Sequence, residues 1–182
     1  TGAILAKFTT ANMYGNADTL NEIQVDFNGA GVGYKIGIYD ATGPGGSPGT
    51  DLYPSAPTLS TVVGTAYVPV PNIIVNGPYY VGVIQTTTTN VGFRYQLESP
   101  IRTNSFYFVS PYTLPITWND FGVGNNPYRF NIAAQIFIPV PPNCVIPQSP
   151  ANAGIACNSG ATLTWASGGG APTFYDVYLS TN

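Results

Sequence analysis

Histidine is absent from this 182-residue chain, and its absence removes several classes of chemistry at once. Imidazole has the side-chain pKa nearest neutrality and is the general base of Ser-His-Asp and Cys-His enzymes. Zinc sites that use histidine are excluded as well, and two cysteines cannot form a site of four thiolates. We therefore expect a structural or binding module rather than an enzyme, with no cofactor.

Charge is almost as scarce as histidine. Only 7% of the residues are charged, against about 25% in an ordinary soluble domain. A nucleic-acid-binding face needs a clustered basic patch, but the five basic residues are scattered along the chain: Lys7, Lys35, Arg94, Arg102 and Arg129. We therefore expect no nucleic-acid partner, and solubility must come from neutral polar groups.

Long apolar runs are missing too. Gly, Pro, Asn and Thr interrupt every apolar stretch before it reaches the roughly 18 residues of a membrane helix, so no membrane insertion is expected. The 13 Tyr, 9 Phe and 2 Trp supply core material and argue against disorder. The chain starts at Thr1 and shows no signal peptide, so we expect a processed or excised extracellular or cell-surface chain.

Alternation of apolar and polar residues is the main structural signal. In Glu22–Phe27 the side chains of Ile23, Val25 and Phe27 share one face, which predicts a half-buried strand. Similar patterns predict further strands at Ala3–Thr9, Tyr34–Ile38, Thr61–Val70, Tyr79–Thr86, Phe93–Glu98, Ser105–Val109 and Phe130–Ile138. Segments rich in Gly and Pro, such as Ala41–Thr50, separate them. About eight such strands predict an all-β antiparallel sandwich, jelly-roll-like, over residues 1–138.

A second domain is predicted after a proline-rich linker at residues 139–143. Within residues 144–182, ATLTW (Ala161–Trp165) and FYDVYL (Phe174–Leu179) each place apolar residues on one face. This segment resembles the first strands of a fibronectin type III domain, with Trp165 and Tyr175 at core aromatic positions. The resemblance implies an incomplete immunoglobulin-like domain, completed in cis or by another chain.

The first domain resembles a β-sandwich repeated in large secreted proteins of the Bacteroidetes–Chlorobi group. The resemblance is carried by YKIGIYDATGPGGSPGTDLY, GPYYVGVIQTTTTNVGF and ESPIRTNSFYF. Such proteins often carry fibronectin-like repeats and a type IX secretion signal, so the resemblance implies secretion or surface display. Asp18–Thr19–Leu20 is similar to the O-glycosylation motif of this group, which makes Thr19 a candidate glycosylation site.

Two pairs of residues have alternative interpretations. Cys144 and Cys157 suit a disulfide in an extracellular protein, and two buried free thiols are the alternative. Asp40 and Asp51 flank the Gly/Pro segment and could hold a structural calcium ion, or they could be surface charges that cap turns.

Aromatic side chains in a loop-rich stretch suggest a contact surface for carbohydrate or a protein partner. Its members are Tyr112, Trp118, Phe121 and Tyr128, which would otherwise plug the end of the sandwich. A terminal strand at Thr1–Thr9 could pair within its own domain or add to a neighbour's sheet edge. The leading hypothesis is a non-catalytic structural or adhesive surface module that could associate with copies of itself into a filament. The alternatives are a carbohydrate-binding module and a glycosidase that uses two acids.

Overall fold

A computed structural model describes residues 1–10, 18–100, 102–123, 127–137, 146–149 and 164–166. The chain divides into two compact units, Thr1–Phe137 and Ile138–Asn182. Every strand pair among the described residues is antiparallel, and none of these residues forms an α-helix. The prediction of an all-β antiparallel fold is confirmed.

The first unit contains a large sheet of six strands in the order β4-β3-β6-β1-β8-β9. These strands are β1 (Ala3–Phe8), β3 (Gly33–Asp40), β4 (Leu59–Ser60), β6 (Tyr79–Gln85), β8 (Phe106–Val109) and β9 (Asn119–Asp120). Strand β1 pairs with β6 on one side and β8 on the other. Both of its hydrogen-bonding edges are used within its own sheet, so exchange of this segment with a neighbouring chain is not supported.

A smaller sheet faces the large one, with strands in the order β11-β2-β5. Its strands are β2 (Asp18–Phe27), β5 (Gly64–Val75) and β11 (Ile132–Phe137), and beside it β7 (Tyr95–Leu97) pairs with β10 (Tyr128–Phe130). The backbone of Asp26 links the small sheet to the chain next to β7 and β10. Its carbonyl accepts a hydrogen bond from the Arg94 N–H, and its N–H donates one to the Asn131 carbonyl. The chain crosses between the two layers repeatedly, as in a jelly roll.

The core lies between the two sheets and follows the alternation read from the sequence. Ile23, Val25 and Phe27 of β2 are fully buried there, and they share one cluster with Ile36 and Val81 of the large sheet. Adjacent residues of a strand point to opposite faces, so Glu22, Gln24 and Asp26 lie on the outer face of the small sheet. The strand predicted at Glu22–Phe27 is therefore present with the predicted orientation.

Strand β6 is buried on both faces. Tyr79–Val83 are five consecutive buried residues, a pattern expected only where a sheet is covered from both sides. Segments 41–57 and 110–118 provide the outer cover: the Tyr80 hydroxyl donates to the Gly46 carbonyl, and Trp118 packs against the cluster of Leu5, Tyr39, Tyr80 and Tyr107. Within the first segment, Pro44–Gly46 forms a single 3-10 turn, a regular element that we did not expect in so Gly/Pro-rich a stretch.

Several predicted strands differ in extent from those observed, and the one predicted at Phe130–Ile138 is divided between β10, which pairs with β7, and β11, which pairs with β2. The alternation in Phe93–Glu98 predicted a buried aromatic face, but Tyr95 is 54% and Leu97 is 74% exposed. Of the three residues on that face, only Phe93 packs against the core, where it forms an isolated antiparallel β-bridge with Phe27 of β2. Beyond Phe93 the face is exposed to solvent. Strand β5 continues past Val70 to Val75, through Pro69 and Pro71, because it is an edge strand and proline is tolerated there.

The second unit is described at two strands, β12 (Ile146–Ser149) and β13 (Thr164–Ala166), which pair with each other. Trp165 is 39% exposed. Most of the predicted fibronectin-like domain, Tyr175 included, lies outside the described residues, as do Cys144 and Cys157. The domain boundaries and the disulfide therefore stay predictions.

Glycine at position 82 is required by the close approach of two strands. A Cβ atom there would lie 1.9 Å from the Ile4 carbonyl oxygen, in the middle of the large sheet. We expect Gly82→Ala to lower the free energy of unfolding by about 1–3 kcal/mol or more, because backbone rather than a flexible side chain must move. Gly29→Ala is the control, since nothing lies within 4 Å of its Cβ position. Urea unfolding of both variants tests this, and equal midpoints would contradict it.

Candidate binding cleft on the large sheet

A cleft of 490 Å³ opens on the outer face of the large sheet, beside the segments that cover it. Lys35 of β3 and Ile84 of β6 are cross-strand partners that line the cleft, and both point away from the inter-sheet core. Polar and aromatic side chains also line it, principally Asp51, Tyr53, Thr58, Gln85, Thr86 and Tyr112, and Ile36, Pro54 and Ala56 add apolar surface. The cleft thus combines two phenol rings and aliphatic groups with several hydrogen-bonding groups, one acidic side chain and one basic side chain.

Asp40 anchors the Gly/Pro segment that lies beside the cleft. Its Oδ1 accepts hydrogen bonds from the Thr42 N–H at 3.1 Å, the Thr42 hydroxyl at 2.6 Å and the Thr50 N–H at 2.7 Å. Burial alone would raise the pKa of Asp40, but these hydrogen bonds outweigh it and lower the pKa. The carboxylate therefore serves as a turn cap that closes the segment between Asp40 and Thr50.

Asp51 lines the cleft, and its environment differs from that of Asp40. Burial raises the pKa of Asp51, and the raise is partly offset by the Tyr53 N–H, which donates to Oδ1 at 2.8 Å, and by the charge of Lys35. The described residues contain no group of three or more acidic, cysteine or histidine side chains that could hold a metal ion. Calcium at Asp40 and Asp51 stays a prediction, and both carboxylates already accept hydrogen bonds from their own loops.

The wall of the cleft formed by Tyr112 is held in place by two aromatic neighbours. The Tyr112 and Tyr39 hydroxyls share a hydrogen bond of 2.5 Å, and the Trp118 ring packs edge-on against Tyr39 with centroids 5.4 Å apart. Burial raises the pKa of Tyr39, and the hydrogen bond with Tyr112 and the charge of Asp51 raise it further. Tyr39 therefore stays neutral and fixes the position of Tyr112.

The four aromatic residues predicted as one contact surface lie on opposite faces of the large sheet. Tyr112 and Trp118 are half-buried on the outer face. Phe121 and Tyr128 pack on the inner side instead, against the cluster that contains Ala6, Phe106 and Phe130. The structure therefore does not bring the four rings together, and Tyr112 alone lines the cleft.

Thr19 lies on the small sheet, remote in the strand order from the cleft-forming strands. It pairs with Ile74 of β5 and Phe137 of β11, and its side chain is half-buried on the outer face. Its role as a glycosylation site stays a prediction.

Sequence reasoning missed Lys35, Tyr53 and Gln85. Lys35 did carry a signal, since it occupies a polar position of a strand predicted from its alternation. Tyr53 and Gln85 carried no such signal. The two residues meet in the cleft because segment 41–57 folds back over β3, and no local sequence pattern predicts that fold. That fold is set by the Asp40 hydrogen bonds and by the Leu52 N–H, which donates to the Ile38 carbonyl.

Comparisons with known proteins add a fold relationship. No protein-family model matches the sequence, and no curated protein matches it. A solved structure with a similar fold is "The crystal structure of the cysteine protease and lectin-like domains of Cwp84, a surface layer associated protein of Clostridium difficile". The TM-score is 0.52 at 16% identity, over 73% of this chain and 31% of that chain. The likeness shows a shared fold alone. In the part of this chain that the structure describes, no helix is long and apolar enough to cross a membrane.

Removal of the Asp40 carboxylate tests its role as the anchor of the Gly/Pro segment. We expect Asp40→Ala to lower the free energy of unfolding by about 1 kcal/mol or more, because the Thr42 and Thr50 donors lose their acceptor. Asp40→Asn keeps an oxygen at the Oδ1 position and is the matched control. Urea unfolding measures both, and an Asn variant as unstable as the Ala variant would argue against the hydrogen-bonding role.

Alkaline titration tests the burial of the phenols around the cleft and core. Burial raises the pKa of Tyr79 to about 12, and the pKa values of Tyr39 and Tyr80 are also raised. An unfolded tyrosine ionises near pH 10, so above that pH the unfolded chain loses protons that the folded protein keeps. The free energy of unfolding should therefore fall from about pH 10 towards pH 12, and less steeply in Tyr79→Phe. Urea unfolding at several pH values in this range measures the fall. An equal fall in the wild type and in Tyr79→Phe would contradict the raised pKa of Tyr79.

Proposed function

We propose that the first unit is a non-catalytic carbohydrate-binding module of a secreted or cell-surface protein. The observation that carries the proposal is the composition of the cleft. Flat rings can stack on the apolar faces of a sugar, while carboxylate, ammonium, amide and hydroxyl groups can pair with its hydroxyls. Tyr53 and Tyr112 supply the rings, and Lys35, Asp51 and Gln85 supply donors and acceptors.

The acids of the cleft support a binding rather than a hydrolytic role. Glycoside hydrolysis generally requires two carboxyl groups on opposite sides of the scissile bond. Among the described residues that line the cleft, Asp51 is the one acid. The absence of histidine from the whole chain removes the commonest general base as well.

The structural neighbour supports a surface location. That protein is a surface layer associated protein with lectin-like domains, and its fold resembles that of this chain at a TM-score of 0.52. The proposal places this chain in the same general setting, outside the cell. The resemblance to sandwich repeats of the Bacteroidetes–Chlorobi group, with type IX secretion, points to the same setting and is part of the proposal.

A second candidate function is adhesion through self-association. The outer face of the small sheet exposes large apolar side chains, with Tyr67 62%, Ile74 63% and Phe137 56% exposed. Ile74 and Phe137 are the cross-strand neighbours of Thr19 on either side, so these two exposed apolar side chains lie in one row across the sheet. Light scattering of the purified chain over a range of concentrations tests this candidate, which a strict monomer would exclude.

Glycan binding with matched tyrosine variants tests the leading proposal. On a glycan array, we expect Tyr53→Ala to weaken binding by about tenfold or more, equivalent to about 1.4 kcal/mol, because a stacking ring is lost. Tyr67→Ala is the control, since Tyr67 is exposed on the other sheet. Absence of binding to any glycan, or equal loss in both variants, would refute the proposal. If the chain released sugar from a glycan and Asp51→Asn abolished that release, the claim that the module is non-catalytic would be refuted.

A further inference from the structure

A second cavity lies on the opposite, inner side of the large sheet. It has a volume of 370 Å³, and apolar side chains form its floor, among them Ile4, Val83, Phe93, Phe108 and Phe121. A smaller cavity of 180 Å³ shares Ile4, Asn90 and Phe93 with it and continues between Tyr95 and Tyr128. The two cavities therefore adjoin, and together they are here called the inter-sheet groove.

The rings around the inter-sheet groove support one another. Phe121 packs against Phe108 at a centroid distance of 4.5 Å and against Phe130 at 5.3 Å, and Phe93 packs against Phe130 at 5.5 Å. Each of these rings is thereby held in place by a neighbouring ring, and the cavities remain open beside them. The groove is preformed, and its larger part falls in the range of about 300–1,000 Å³ that ligand sites occupy.

The groove carries no charged side chain among the described residues that line it, in contrast to the cleft on the outer face. Its mouth is edged by neutral polar groups, including Thr88, Asn90 and Ser110. The Gln85 amide fixes one rim, because its Nε2 donates to the Thr87 carbonyl at 2.8 Å and to the Thr89 carbonyl at 2.5 Å. The described residues that line the groove therefore offer an ionic head group no side chain of opposite charge.

We infer that the inter-sheet groove binds the alkyl chain of an uncharged amphiphile. The apolar floor suits an alkyl chain, the neutral polar mouth suits a hydroxyl or ester head group, and the lack of a charged side chain among the described lining residues disfavours an ionic one. This site is separate from the carbohydrate cleft and goes beyond the proposed function. Gln85 lines both cavities from one strand end, so the two sites are neighbours across the large sheet.

The test uses N-phenyl-1-naphthylamine, an uncharged probe that fluoresces in apolar surroundings, with 1-octanol as the competitor. We expect saturable binding to the full chain and displacement of the probe by 1-octanol. Thr88→Trp and Ser110→Trp each place a large ring at a residue that lines the groove and should each weaken probe binding by about tenfold or more, equivalent to about 1.4 kcal/mol. Thr89→Trp is the control, because Thr89 is exposed in the same loop and lines neither cavity.

The outcomes separate this inference from the proposed function. Loss of probe binding in both rim variants, with binding retained in Thr89→Trp, supports it whether or not the chain binds glycans. No saturable probe binding, no displacement by 1-octanol, or equal binding in all three variants would overturn it. Loss of glycan binding in Tyr53→Ala with normal probe binding would show that the two sites act independently.

Discussion

Coverage of the large sheet on both faces is the constraint on which the rest of the first unit depends. Strand β6 runs through the middle of that sheet with five consecutive buried residues, so it needs an apolar layer on each side. The small sheet supplies one layer, and two loop segments supply the other. The two loop segments leave part of the outer face uncovered. The outer cleft lies at that gap, bordered by Tyr53 of one segment and Tyr112 of the other.

The two cavities differ in chemistry because they lie on different sides of the same sheet. The outer cleft is edged by loops that satisfy backbone groups with side chains such as Asp40 and Asp51, and the cleft itself is lined by the charged side chains of Asp51 and Lys35. The inter-sheet groove is lined by inward strand positions such as Ile4 and Val83 and by loop residues such as Asn90, and none of its described lining side chains is charged. Gln85, at the end of β6, lines both cavities, and so does Thr1.

Much of the fold could be predicted from the sequence, and much less of the site. The alternation around Ile23, Val25 and Phe27 placed a strand and its buried face correctly, because a period of two is a local property. It failed at Tyr95 and Leu97, where the same pattern continues beyond the edge of the core. The cleft joins residues far apart in the chain, such as Tyr53 and Tyr112, through loop conformations that no local pattern encodes.

The prolines of β5 have a consequence for how copies of this protein meet. This strand forms an edge of the small sheet, and an edge of its length would ordinarily invite another strand to extend the sheet. Pro69 and Pro71 have no N–H to offer such a strand, and the positive φ of Asn72 interrupts the extended backbone next to them. In a chain with so little charge to keep its copies apart, we expect these residues to oppose edge-to-edge pairing of the kind that leads to amyloid-like aggregation.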